Sequence, residues 1–192
     1  MVKNRGYAGY HLGEKLYDSL SSVLYKTRSR KQTSKTILKI LKSDSPSDKE
    51  AIRFHQEFSI ANQINSPYVE KVFGLINERN FTALLIEDID GKSLDIWFRQ
   101  QPPSILEGLN LAISICQGIR SIHDAKIIHK DISSSNIIWN RQTNDVKIID
   151  FGIATNFARE NITPLAASKL EGDLLYMSPE QTGRMNSCFK FI

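Results

Sequence analysis

The sequence predicts an α+β fold arranged in two lobes. Three observations carry that prediction. β-branched, alternating apolar runs fill much of residues 14–87, helical periodicity takes over after about residue 104, and a Gly-containing connector, DIDGKSL, separates the two regimes.

Composition narrows the class. The chain has 192 residues, 41% hydrophobic and 24% charged, which suits one domain or a small and a medium lobe. Its two cysteines, Cys116 and Cys188, make neither a disulfide framework nor a metal-ligand spacing, so a reduced, cytoplasmic setting is expected. The basic N-terminus lacks an apolar run, and no stretch reaches 18 apolar residues, so neither a signal peptide nor a membrane span is expected. A net charge of +4 is modest, and KTRSRKQTSK is read as a solvated turn between strands, not a nucleic-acid surface.

The elements follow in order. Residues 1–13 are expected to be a lead-in. SVLYKT and TILKIL read as two strands around a polar turn. In SPSDKEAIRFHQEFSIANQIN the period changes: Phe54, Phe58, Ala61 and Ile64 recur at helical spacing behind a capping box of Ser47 and Glu50. Two more strands, EKVFGLI and FTALLIE, are joined by the turn NERN. Past the connector, Ser104 and Glu107 form a second capping box that opens a helix through Leu109, Ala112, Ile113, Cys116, Ile119 and Ile122.

The chemistry concentrates in IIHKDISSSNIIWN. Two Ile-rich, strand-like runs bracket the chain's most polar groups, as expected of a loop facing a cleft. Asp131 and Asn136 stand five apart there, and Asp150 follows the apolar run VKII. A carboxylate to take a proton, with an acid and an amide to hold a hard cation by oxygen, suits phosphoryl transfer.

H-x-D-x-x-x-x-N, then D-F-G, then the P-E of MSPE at 177–180 resembles the protein kinase superfamily, over about residues 14–186. The run YMSPEQTGRMN is similar to bacterial serine/threonine kinase domains that open large signalling proteins with ATPase and histidine-kinase modules. The resemblance implies a two-lobed kinase-like fold, a β-rich lobe over 14–90 and a mainly helical lobe over 91–192. Helices normally follow P-E, so the second lobe is expected to be incomplete. It implies ATP and Mg²⁺ as ligands, a protein substrate, and further modules in a larger parent protein. Asp131 would accept the substrate proton, Asn136 and Asp150 would hold Mg²⁺, and Lys39 would grip the phosphates. Glu57, turned by helical spacing toward the buried stripe, would pair with Lys39. Leu24, Ile37 and Ile138 would sandwich the base, Ile86 would back the pocket, and the main chain of Glu87 and Ile89 would bond the base edge. His129 and Phe151 would be packing residues.

Departures from the family pattern bear on turnover. The glycines of the phosphate-covering loop are replaced by Tyr17, Ser19 and Ser22, which removes the close main-chain approach that glycine permits. Ser133 stands where a lysine is usual, and Lys130 where arginine is more frequent. Asp173 stands where a hydroxyl usually meets the catalytic acid, implying repulsion with Asp131. A pseudokinase or nucleotide-binding fragment with little phosphotransfer is therefore the alternative. A small-molecule phosphotransferase would usually lack D-F-G and P-E.

Overall fold

The structure is a computed structural model describing residues 6–7, 10–28, 35–42, 48–78, 81–157 and 172–178. Ser47 of the first expected capping box, the P-E dipeptide and Cys188 lie outside them.

The first lobe is an antiparallel sheet covered by one helix. Strands β1 (Gly6–Tyr7), β2 (Tyr10–Asp18), β3 (Ser22–Arg28), β4 (Thr36–Leu41), β5 (Val72–Glu78) and β6 (Phe81–Glu87) lie in the order β1-β2-β3-β4-β6-β5. The sheet thus begins inside the stretch expected to be a lead-in.

Strand alternation makes β4 two-faced. Leu38 and Ile40 pack with Ala83 and Leu85 on one side, whereas Ile37 and Leu41 join the core beneath helix α1 (Asp48–Ala61). Phe54, Ile60 and Ala61 of α1 are buried in that core. Lys39 shares the face of Ile37 and Leu41, so the alternation alone points it at α1.

The second lobe begins with β7 (Lys92–Ser93), α2 (Leu94–Gln100) and α3 (Ile105–Asp124). The expected capping box is present: the Ser104 hydroxyl accepts from Glu107 N, and Glu107 accepts from Ser104 N at 2.8 Å. α3 buries only part of the expected face: Ile122 is in the core and Ile119 packs against it. Leu111, Gly118 and Ile122 are buried, while Leu109, Ile113 and Cys116 are exposed. The helix is apolar on two sides, and periodicity does not say which side is covered.

Short strands frame the loops beyond α3. β8 (Ile127–Ile128) pairs with β11 (Thr155–Asn156); β9 (Ile137–Asn140) pairs with β10 (Asp145–Ile148) and with β7. Trp139, 1% exposed, packs with Leu94, Leu111, Ile137 and Val146. Arg141 lies over the rings of Trp97 and Trp139, with its guanidinium carbon 5.5 and 5.3 Å from the centroids.

One core spans both lobes, running from Leu41, Phe54 and Leu84 to Ile122, Ile127, Ile148 and Phe151. A parallel bridge between Val69 and Ile148 ties the entry to β5 to the end of β10. Among the described residues, no helix is long and apolar enough to cross a membrane.

Candidate active site

Lys39 and Glu57 meet as β4 and α1 dictate. Lys39 Nζ lies 2.7 and 2.8 Å from the two oxygens of Glu57, with the side chains 12% and 3% exposed. Asp150 Oδ1 lies 3.5 Å from the same Nζ. Burial alone would favour the neutral amine, but the carboxylates of Asp150, Glu57 and Glu70 outweigh it and hold Lys39 firmly charged. One cation does not offset three carboxylates. Burial raises the Glu57 and Glu70 carboxyls above their ordinary range, against the pull of Lys39. Asp150 goes the other way: Lys39 draws it below the usual carboxylate range.

The loop after β8 brings Asp131 and Asn136 together. Asn136 Nδ2 donates to Asp131 Oδ2 at 2.8 Å and to its carbonyl at 2.9 Å, which leaves the Asn136 amide oxygen as the acceptor end. The amide of Ile149 donates to the Asn136 carbonyl at 3.0 Å, placing that residue beside Asp150. His129 is buried beneath the loop. Its Nδ1 accepts from Asp131 N at 3.2 Å, so its Nε2 carries the proton and donates to Ile149 O at 3.1 Å. Burial lowers its pKa, and its ring meets Phe151 edge-on at 4.7 Å. That histidine holds the loop's shape.

The departures acquire geometry here. Asp173 contacts Asp131 through its main chain: its amide donates to Asp131 Oδ1 at 3.0 Å. A carboxylate oxygen has two lone pairs, so each Asp131 oxygen can accept again. The β2–β3 turn is closed by its own serines. Ser19 Oγ accepts from Ser22 N at 3.0 Å, and Lys42 bonds both Ser19 O and Asp18. Tyr17 and Leu20 at this turn are exposed. Ser133 is buried and bonds Ser135 Oγ at 2.8 Å.

Leu24, Ile37 and Ile138 are partly buried, on β3, β4 and β9 in turn, and Ile86 of β6 is buried. Glu87 N is engaged by Lys71 O at 2.9 Å, and Ile89 O by Asn140 Nδ2 at 2.7 Å.

Two charged residues escape a reading of the sequence. Glu70 is buried, and its Oε1 accepts from Asp150 N at 2.6 Å. Lys147 reaches Glu87 at 2.8 Å. The only signal for Glu70 is an acid between Val69 and Lys71 at the mouth of an apolar strand.

This two-lobed arrangement, with a lysine–glutamate pair in one lobe facing an acid–amide loop in the other, defines a protein kinase domain, and the family profile of that description matches residues 10–188. The chain belongs to that family. It is 32% identical over 146 residues to the serine/threonine-protein kinase PrkC of Bacillus subtilis, covering 75% of this chain and 22% of that protein. It is 29% identical over 179 residues to the serine/threonine-protein kinase PknB of Mycobacterium tuberculosis, covering 90% and 28%. With mitogen-activated protein kinase kinase 5 of Leishmania mexicana it shares 30% identity over 131 residues, covering 68% and 24%. The chain thus spans less than a third of the length of these curated relatives.

Proposed function

We propose that the chain transfers the γ-phosphoryl group of ATP to serine or threonine hydroxyls of a protein substrate. The observation that carries this reading is the convergence of Lys39, Glu57 and Asp150 opposite the bonded pair Asp131–Asn136. Residues 14–90 would serve as the nucleotide lobe and 91–192 as the substrate lobe. The setting would be the cytoplasm, and the parent protein could carry further signalling modules.

The donor set fits a hard divalent cation. Asn136 offers its amide oxygen and Asp150 a carboxylate drawn to the ionised form. With one carboxylate and one amide oxygen from the protein, phosphate oxygens and water would complete the coordination. Mg²⁺ bound with ATP meets these terms, and when bound it offsets phosphate charge. Lys39, kept charged by its carboxylates and oriented by Glu57, grips the α- and β-phosphates. Leu24, Ile37 and Ile138 sandwich adenine in front of Ile86, and the main chain of Glu87 and Ile89 bonds its edge. Asp131 orients the substrate hydroxyl. As its oxygen bonds to the γ-phosphorus, ADP leaves and the proton passes to Asp131.

A nucleotide-binding module with little transfer is the second reading. The self-closed β2–β3 turn and Ser133 support it, because neither supplies the usual phosphate contacts. The test is calorimetric ATP affinity with Mg²⁺ or EDTA, alongside phosphate transfer to a generic protein, for wild type, Asp150→Asn and Asp131→Asn. Affinity that depends on Mg²⁺ and on Asp150, with transfer abolished by Asp131→Asn, supports the leading reading. Binding without transfer supports the second. Affinity indifferent to Mg²⁺ and to Asp150 overturns both.

A further inference from the structure

Glu70 is a carboxylate that the phosphotransfer reading does not use. It follows the parallel bridge of Val69 with Ile148, and its own amide donates to Ile148 O at 2.9 Å. Its side chain is turned inward, where Oε1 accepts the main-chain amide of Asp150 at 2.6 Å. Asp150 has φ +68°, a left-handed backbone that is uncommon outside glycine, although aspartate tolerates it better than most residues.

The surroundings act on Asp150 from two sides. On the side-chain side, Oδ1 faces Lys39 at 3.5 Å and accepts from Gly152 N at 3.3 Å. On the main-chain side stands Glu70. A buried amide without a partner is unfavourable, and a charged acceptor at this distance is among the strongest partners available. An apolar side chain would fill the same space without removing a carboxylate from water, so the acid has to be accounted for by what it bonds. The neighbouring Ile149 amide is occupied as well, by the Asn136 carbonyl. Successive amides of the strand end are thus held by groups from two different parts of the fold.

We propose that Glu70 is a positioning residue: by holding the main-chain amide of Asp150 it fixes the left-handed turn that presents the Asp150 carboxylate to Lys39 and to the metal–nucleotide complex. The proposal rests on the phosphotransfer reading for the metal–nucleotide complex, but its tether to the amide stands apart from it.

Three versions of the 192-residue chain test it: wild type, Glu70→Gln, which keeps an oxygen acceptor, and Glu70→Leu, which keeps the volume and removes the acceptor. The first readout is deuterium exchange at the Asp150 amide by NMR, without ligand. The second is calorimetric ATP affinity with Mg²⁺ and with EDTA. Glu70→Leu should exchange that amide about tenfold faster and lose about tenfold of the Mg²⁺-dependent gain in affinity, the equivalent of one lost hydrogen bond. Its affinity in EDTA should stay near wild type, and Glu70→Gln should track wild type in both readouts. Unchanged exchange in Glu70→Leu overturns the tether. Equal losses with Mg²⁺ and EDTA make Glu70 a packing residue and overturn the positioning role. If Glu70→Leu does not fold, Glu70→Met, a weak acceptor of similar length, is judged by the same outcomes. A wild type with no Mg²⁺-dependent gain overturns the phosphotransfer reading instead, while exchange still decides the tether.

Discussion

Asp173 meets Asp131 through its main chain and its own turn through its side chain: the amide donates to Asp131 Oδ1 at 3.0 Å, while Asp173 Oδ1 accepts from Leu175 N at 3.1 Å. The side-chain charge is engaged by its own turn, and the contact with Asp131 survives any substitution that keeps an amide. Asp173→Ala should therefore change phosphotransfer by no more than about two- to threefold, the rate equivalent of ~0.5 kcal/mol. A steady-state assay on a generic protein substrate decides it. A tenfold rise would restore the repulsion that the sequence implies.

The buried pair of Lys39 and Glu57 makes a second prediction, one of stability. Lys39→Met leaves a carboxylate 3% exposed without its bidentate partner. Removing one member of such a pair costs about 3–5 kcal/mol, whereas replacing both by apolar residues is often neutral or stabilising. Lys39→Met should unfold at markedly lower urea than wild type, and Lys39→Met/Glu57→Leu should recover most of the loss. Equal midpoints for the single and double variants would contradict the pairing.

Gly91 is constrained by space. A Cβ there would meet Ile138 Cγ2 at 2.6 Å, the Trp139 carbonyl carbon at 2.9 Å and Asn140 N at 3.0 Å. Two of those atoms are main chain and cannot rotate aside, so Gly91→Ala should destabilise by about 1–3 kcal/mol. Gly108, within α3, has nothing within 4 Å of the same position. Gly108→Ala should stabilise by about 0.5–1 kcal/mol through helix propensity. Thermal unfolding of the two variants should shift in opposite directions.

Acid should loosen the start of α3. Arg141 first, then the Ser104 amide and hydroxyl, draw the Glu107 carboxyl from 4.5 down to about 2. A carboxyl whose folded pKa is depressed contributes stability that is present above pH 4.5 and is lost as the pH falls toward 2. Urea unfolding followed by the fluorescence of Trp97 and Trp139, which flank Arg141, should show a steeper loss below pH 4.5 in wild type than in Glu107→Gln. Parallel curves would mean that the pair contributes nothing measurable.

Residues with periodic partners were the ones legible in advance. Lys39 alternates with buried neighbours on β4, and Glu57 sits three and four residues from Phe54 and Ala61, so facing apolar stripes imply their meeting. The capping box of α3 is a local pattern and reads locally. Glu70 has no such company: one acid in an apolar strand entry looks like a solvated edge until the bridge of Val69 to Ile148 turns it inward. The start of β2 is not legible in the sequence because all but two of the strand's residues are exposed, which leaves no alternation to read. The orientation of Asp173 depends on a turn that no spacing encodes.

Besides the shared core, the main chain joins the two lobes at the connector 88–91 and at the bridge of Val69 to Ile148, where Glu70 N and Ile148 N donate to Ile148 O and Tyr68 O at 2.9 and 2.8 Å. A body pinned at two points keeps a single rotational freedom, about the line through the pins. A swing of one lobe against the other about that line would strain these main-chain joints least. Groups far from the line, such as the tip of the β2–β3 turn at Leu20, sweep the longest arc. Glu70 and Asp150, each within two residues of the bridge and bonded to each other, sit beside the joint that such a swing would displace least.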